Sequence, residues 1–141
     1  MRKASRERAG ASRFMRPALV GVSVATVASG GVQMLAPGMM LGKLDASQSE
    51  ADRQLFATIG MFMVVMGGLL LDDLARHDDD PTVLLWAALQ KLGAAGAVAI
   101  GVKRHVFAGR ALMVAGFDVA SGFGCLAYRS KVRRRHAGAS S

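Results

Sequence analysis

Four stretches of the chain are long and dominated by apolar residues: 18–35, 55–71, 82–102 and 106–128. Each reaches the ~17–25 residues that an α-helix needs to cross a bilayer. The segments between them read as helix ends. Ala36-Pro37-Gly38 breaks the first run. Ser47 with Glu50, and Ser49 with Asp52, have capping-box spacing ahead of the second. Asp80 can cap the third helix, with Pro81 at its first position, and Pro17 suits the first turn of the first helix. Lys103-Arg104-His105 supplies the turn between the third and fourth runs. The pattern predicts an all-α integral membrane protein, a four-transmembrane-helix antiparallel bundle over residues 17–128. Residues 1–16 are expected to be a basic tail, disordered or lying on the membrane surface. A second basic tail, 129–141, should lose its structure after residue 135.

Composition sharpens this reading. The chain of 141 residues is 52% hydrophobic with a formal net charge of +8. Six Arg/Lys fall in the segment 1–16 and five in 129–135, so the mean hydropathy of +0.31 is diluted by the ends. So basic a chain invites nucleic acid as a partner, but few aromatics are present to stack on bases and no binding motif occurs. Basic tails beside apolar helices instead set topology and touch anionic lipid headgroups. With four spans both ends share one side. Placing them inside leaves twelve Arg/Lys inside against five outside. The positive-inside rule therefore puts both termini in the cytoplasm of a cell whose inner membrane holds the spans. A basic segment followed by Ala18–Ala28 also has the outline of a secretory signal. The apolar run continues to Leu35, however, which favours an uncleaved helix. Cys125 is the only cysteine, which excludes an intrachain disulfide or a dithiol couple.

Two charges lie inside the apolar runs, Lys91 in the third and Asp118 in the fourth. The chain separation from Lys91 to Arg104 equals that from His105 to Asp118. A helical hairpin turning at 103–105 therefore puts them at one depth. An unpaired charge at mid-bilayer costs about 2.5–3.5 kcal/mol on insertion scales, so such residues face protein and find partners. Lys91 and Asp118 are the expected intramembrane pair, with Gln90 and Ser121 as secondary polar contacts. The pair is either a staple or the centre of an ion- or proton-coupled site. Small residues surround both: Ala87, Ala88, Ala94 and Ala95 near Lys91, and Ala111, Ala115, Gly122 and Cys125 near Asp118. A second set has small-xxx-small spacing: Gly93, Ala97 and Gly101 on the third helix, and Gly116, Ala120 and Gly124 on the fourth. Either set would let two helices approach closely in lipid. Gly21, Ala25 and Ser29 form a similar face on the first.

The remaining chemistry-bearing residues have simpler readings. The acidic loop Asp72 to Asp80 lacks the spacing of a calcium loop, so helix ending and capping explain it better than a metal. His77 and His105 lie at helix ends, too shallow for haem, and no cofactor is expected. The methionines, among them Met61, Met63 and Met66, read as packing. Trp86 and Tyr128 read as anchors at the cytoplasmic interface. No nucleophile–base set, phosphate loop or paired catalytic carboxylate occurs, so enzyme activity by this chain alone is not expected.

Leu-Phe-Ala-Thr-Ile-Gly (55–60) and Gly-Phe-Asp-Val-Ala-Ser-Gly (116–122), set in four short spans, resemble small DoxX-like bacterial membrane proteins over roughly residues 18–128. The resemblance implies a four-helix membrane bundle, in some members linked to quinone-dependent redox systems. Three functions follow from the sequence. The first is an accessory or structural subunit, acting in a complex with another membrane protein or as a homo-oligomer. The second is a small ion- or proton-coupled transporter using Lys91 and Asp118. The third is the membrane subunit of a quinone-linked oxidoreductase.

Overall fold

The computed structural model describes the backbone of residues 2–139 and the side chains of residues 14–138. It consists of five helices: α1 (Arg2–Leu35), α2 (Pro37–Lys43), α3 (Glu50–Arg76), α4 (Pro81–Lys103) and α5 (Ala111–Ala139). Four of these contain segments long and apolar enough to cross a membrane: Phe14–Leu35, Glu50–Arg76, Pro81–Lys103 and Ala111–Gly138. The chain is thus an all-α, multi-pass membrane protein, and lipid is its expected surroundings.

Local signals fix several helix ends. Ser49 is the N-cap of α3, its side chain accepting from the Asp52 amide at 3.2 Å. Asp80 caps α4 in the same way, accepting from the Thr82 amide at 2.7 Å, with Pro81 opening the helix. At the other end of α3, His77 adopts the left-handed conformation (φ 64°) and its amide closes back onto Asp73 and Leu74. Such an αL residue satisfies the last carbonyls of a helix.

Other boundaries differ from the sequence expectation. Pro17 lies inside α1 rather than in its first turn, because the helix is already formed over the basic segment. The side chains of residues 1–13, and so their expected contact with lipid headgroups, lie outside the described residues. Pro37 starts a helix as well as ending one: α2 is a short turn of seven residues anchored by buried Leu41. The last helix begins at Ala111, not Val106. The intervening chain doubles back along α4, with the Val106 amide on the Gly101 carbonyl at 2.9 Å and the Phe107 ring against the Gly101 backbone. The turn thus satisfies its backbone on α4 itself rather than by extending α5. At the far end α5 continues to Ala139, beyond the expected stop after residue 135, while residues 140–141 lie outside the described part.

α1 packs along α3 and α4 along α5, each as an intimate antiparallel pair. Sparser contacts between α3 and α4, and between α1 and α5, close the ring. The buried positions step by three and four residues. On α1 they are Leu19, Ser23, Thr26, Gly30 and Gln33; on α4 they include Leu84, Ala88, Lys91 and Ala95, with Ala87 beside them; on α5 they include Ala111, Ala115, Asp118, Gly122, Cys125, Tyr128 and Val132, with Ser121 beside them. Steps of three and four residues keep one face of each helix turned to its neighbours. Large apolar side chains such as Phe62, Leu69, Met113 and Phe123 point outward. Small and polar residues share the interior with leucines such as Leu70, Leu74 and Leu84, and the small ones allow the close packing that replaces the hydrophobic drive in lipid.

The tightest approach is between α1 and α3, at Gly30 and Gly60. A methyl group on Gly60 would lie 2.6 Å from the Gly30 carbonyl oxygen, and one on Gly30 would lie 2.7 Å from that of Gly60. Only glycine fits at that crossing.

Candidate functional site

Lys91 is ten residues after Pro81 and twelve before Lys103, so it sits at the midpoint of α4. Ala87, Ala88 and Ala95 are buried around it and admit α5 closely. On α5, Asp118 is flanked by buried Ala111, Ala115 and Cys125. The Lys91 ammonium Nζ donates to Asp118 Oδ1 at 2.8 Å, with the residues only 5% and 7% exposed. This is the length of a charge-assisted bond. The Phe117 ring centroid is 5.3 Å from the same ammonium, within cation–π range.

The secondary contacts are arranged differently from the sequence expectation. The Ser121 hydroxyl donates to the Phe117 carbonyl one turn back at 2.6 Å, not to the pair. This local bond competes with any longer-range partner. Gln90 is half-buried and lines the same small cavity as Lys91, with Ser23, Thr26 and Cys125 from the other helices. That cavity is about 10 Å³, at the lower limit for one water molecule.

The small-xxx-small set does not form the α4–α5 contact. Gly93, Ala97, Gly116 and Ala120 are exposed, and a methyl on Gly93 or Gly116 would meet nothing within 4 Å. Gly101 is buried, but against Phe107, while Gly124 touches Leu19 of α1. The reason is rotational. At about 100° per residue, positions 91 and 93 lie on nearly opposite sides of a helix, as do 116 and 118. Once Lys91 and Asp118 face each other, the Gly93 and Gly116 faces must turn away. The α4–α5 contact uses the other small set, with Gly122 close to Leu92 and the Ala88 carbonyl. Gly21, Ala25 and Ser29 of α1 also face outward, displaced by the Ser23–Thr26–Gly30 face.

A polar cluster at the end bearing the α3–α4 loop was not legible in the sequence. Arg16 of α1 donates through Nη2 to the Leu74 carbonyl, which ends α3, and its Nε lies 3.6 Å from Asp79 Oδ1. Tyr128 of α5 donates to Asp79 Oδ2 at 2.9 Å. Arg129 Nε donates to the Pro81 carbonyl at 2.9 Å. Asp73 receives the Asp80 amide at 3.0 Å. The loop between α3 and α4 is thereby bonded to α1 and α5. Tyr128 is 3% exposed, a buried strut rather than the expected interface anchor, whereas Trp86 at the same end is 58% exposed. Among the described residues no group of three acidic, His or Cys side chains converges as metal ligands. At the opposite end the Ala108 amide bonds the Leu44 carbonyl at 3.0 Å and Arg110 pairs with Asp45 at 2.6 Å, joining the two remaining connections.

No protein family, curated protein or solved structure matches the chain. The functional reading therefore rests on the geometry and the sequence.

Proposed function

We propose that this protein is an accessory or structural subunit of a bacterial inner membrane, working within a complex or as a homo-oligomer, with both termini in the cytoplasm. The observation that carries this reading is the closed state of its intramembrane charge pair. Lys91 and Asp118 bond directly, and the adjoining cavity of about 10 Å³ has no room for a substrate. A pair so arranged joins two helices and neutralises two charges that lipid would not accept. The cytoplasmic placement of the ends is supported by the twelve-to-five bias in Arg/Lys. The resemblance to DoxX-like proteins over roughly residues 18–128 accords with a small four-helix bundle.

A transporter is the competing reading, because the pair sits at mid-depth and Gln90 shares its cavity. Proteoliposomes with an internal pH-sensitive dye separate the two. The structural reading expects proton flux no greater than in empty vesicles, and equal for the wild type and a variant with both charges replaced. Flux that needs the two charges would establish the transporter instead.

A further inference from the structure

A shallow groove of about 250 Å³ runs between α1 and α5, one of the two sparser contacts that close the ring. Its walls are apolar, chiefly Met15, Leu19 and Val22 of α1 and Phe117 and Ala120 of α5, with one hydroxyl, Ser121, whose proton is already given to the Phe117 carbonyl. The groove begins beside Asp118, at mid-membrane, and rises toward the basic end of α5. Lys131 stands fourteen residues after Phe117 on that helix, which is about 21 Å at ~1.5 Å per residue. Half a bilayer, headgroups included, is about 20–22 Å thick. The groove and Lys131 together therefore span one leaflet, with the apolar part at acyl depth and the cation at headgroup depth.

The state of that cation says what is missing. Arg16 and Arg129, at the same end, have protein oxygens as partners. Lys131 is half-buried, and its sole polar contact among the described residues is the Met15 thioether, 2.8 Å away at the mouth of the groove. A thioether sulfur is a weak acceptor and carries no charge to balance an ammonium. Arg135 lies one turn further along the same face and is exposed.

We propose that the groove holds an acyl chain of an anionic phospholipid from the leaflet on the side of the basic tails, with the lipid phosphate on Lys131 and Arg135. The proposal depends on the helices spanning a membrane, but not on the accessory role. Its test is native mass spectrometry of the full chain in mild detergent. The protein is titrated with phosphatidylglycerol and, separately, with phosphatidylcholine of the same acyl chains. The wild type should prefer phosphatidylglycerol. A near-surface cation contributes about fivefold, so Lys131→Gln should cut the preference about fivefold and the added Arg135→Gln about fivefold again. Lys131→Arg should retain it. Arg133→Gln, on the opposite side of α5, should leave it within about twofold. Ala120→Phe, at an exposed position, should fill the groove and weaken both lipids. Equal binding of the two lipids would overturn the proposal. So would an Arg133→Gln effect as large as that of Lys131→Gln, which would mean diffuse attraction to the tail, or unchanged binding by Ala120→Phe. Circular dichroism on every variant distinguishes loss of the site from loss of the fold.

Discussion

Replacing Lys91 by Met and Asp118 by Leu, singly and together, probes the pair with little change in volume. At 2.8 Å and an effective dielectric of ~20, the Coulomb attraction is about 6 kcal/mol. Desolvating two ions costs several kcal/mol each, so little net stabilisation remains when the intact pair is compared with two well-packed apolar residues. Removing one partner is different. Lys91→Met strands Asp118 among alanines, and Asp118→Leu leaves Lys91 with only the Phe117 ring. Each single variant should lose about 3–5 kcal/mol, the usual cost of breaking a buried pair. The loss is smaller to the extent that the stranded group becomes neutral. The double variant should lie within about 1 kcal/mol of wild type, or above it, giving with full single losses a coupling of about 5 kcal/mol or more, beyond the ~0.5–3 kcal/mol of most contacting residues. Reversible unfolding of all four proteins in mixed detergent measures the cycle. Additivity to within about 0.5 kcal/mol would mean that the two charges do not stabilise each other, and the staple would be refuted.

Glycines give a contrast within one assay. Gly60→Ala should destabilise by about 1–3 kcal/mol through overpacking against the Gly30 carbonyl, whereas Gly93→Ala and Gly116→Ala, which meet nothing, should be neutral or gain up to ~1 kcal/mol of helix propensity. Equal losses at all three, read from detergent melting curves, would move the packing face. Tyr128→Phe removes the bond to Asp79 and should cost about 1 kcal/mol; hydrogen exchange should also rise in residues 77–80, and unchanged exchange there would mean the loop is held by other contacts. Arg110→Ala breaks an exposed ion pair with Asp45 and should cost less than ~1 kcal/mol, a bound that the same melting experiment checks. Impermeant thiol reagents applied from outside should miss cysteines placed at residues 5 and 137 and label one placed at 46; the reverse pattern would invert the proposed orientation.

Hydropathy made the four spans legible, and it isolated Lys91 and Asp118 because a charge in an apolar run has few places to go. The turn between α4 and α5 was misjudged because Val106-Phe107-Ala108-Gly109 is as apolar as the spans, yet folds back on Gly101. Hydropathy senses surroundings, not backbone shape. The packing face was ambiguous because alanine and glycine occur all around α4. The facing ion pair already implied the answer, since Gly93 lies about 200° from Lys91. The Arg16–Asp79–Tyr128 cluster had no comparable signal. Its members are far apart in sequence, and a run of aspartates before a helix is fully explained by capping until the fold brings α1 and α5 beside it.

The claim that this chain works as part of a larger assembly is tested most directly by the mass of the native particle. Membranes extracted in the mildest detergent that solubilises the protein should yield, by native mass spectrometry, a species heavier than the 14.8 kDa chain. An integral multiple of that mass would indicate a homo-oligomer, and an added distinct mass a partner subunit. The double variant lacking both charges should give the same assembly. A lone chain carrying only lipid and detergent, under conditions that preserve known membrane complexes from the same cells, would contradict the account.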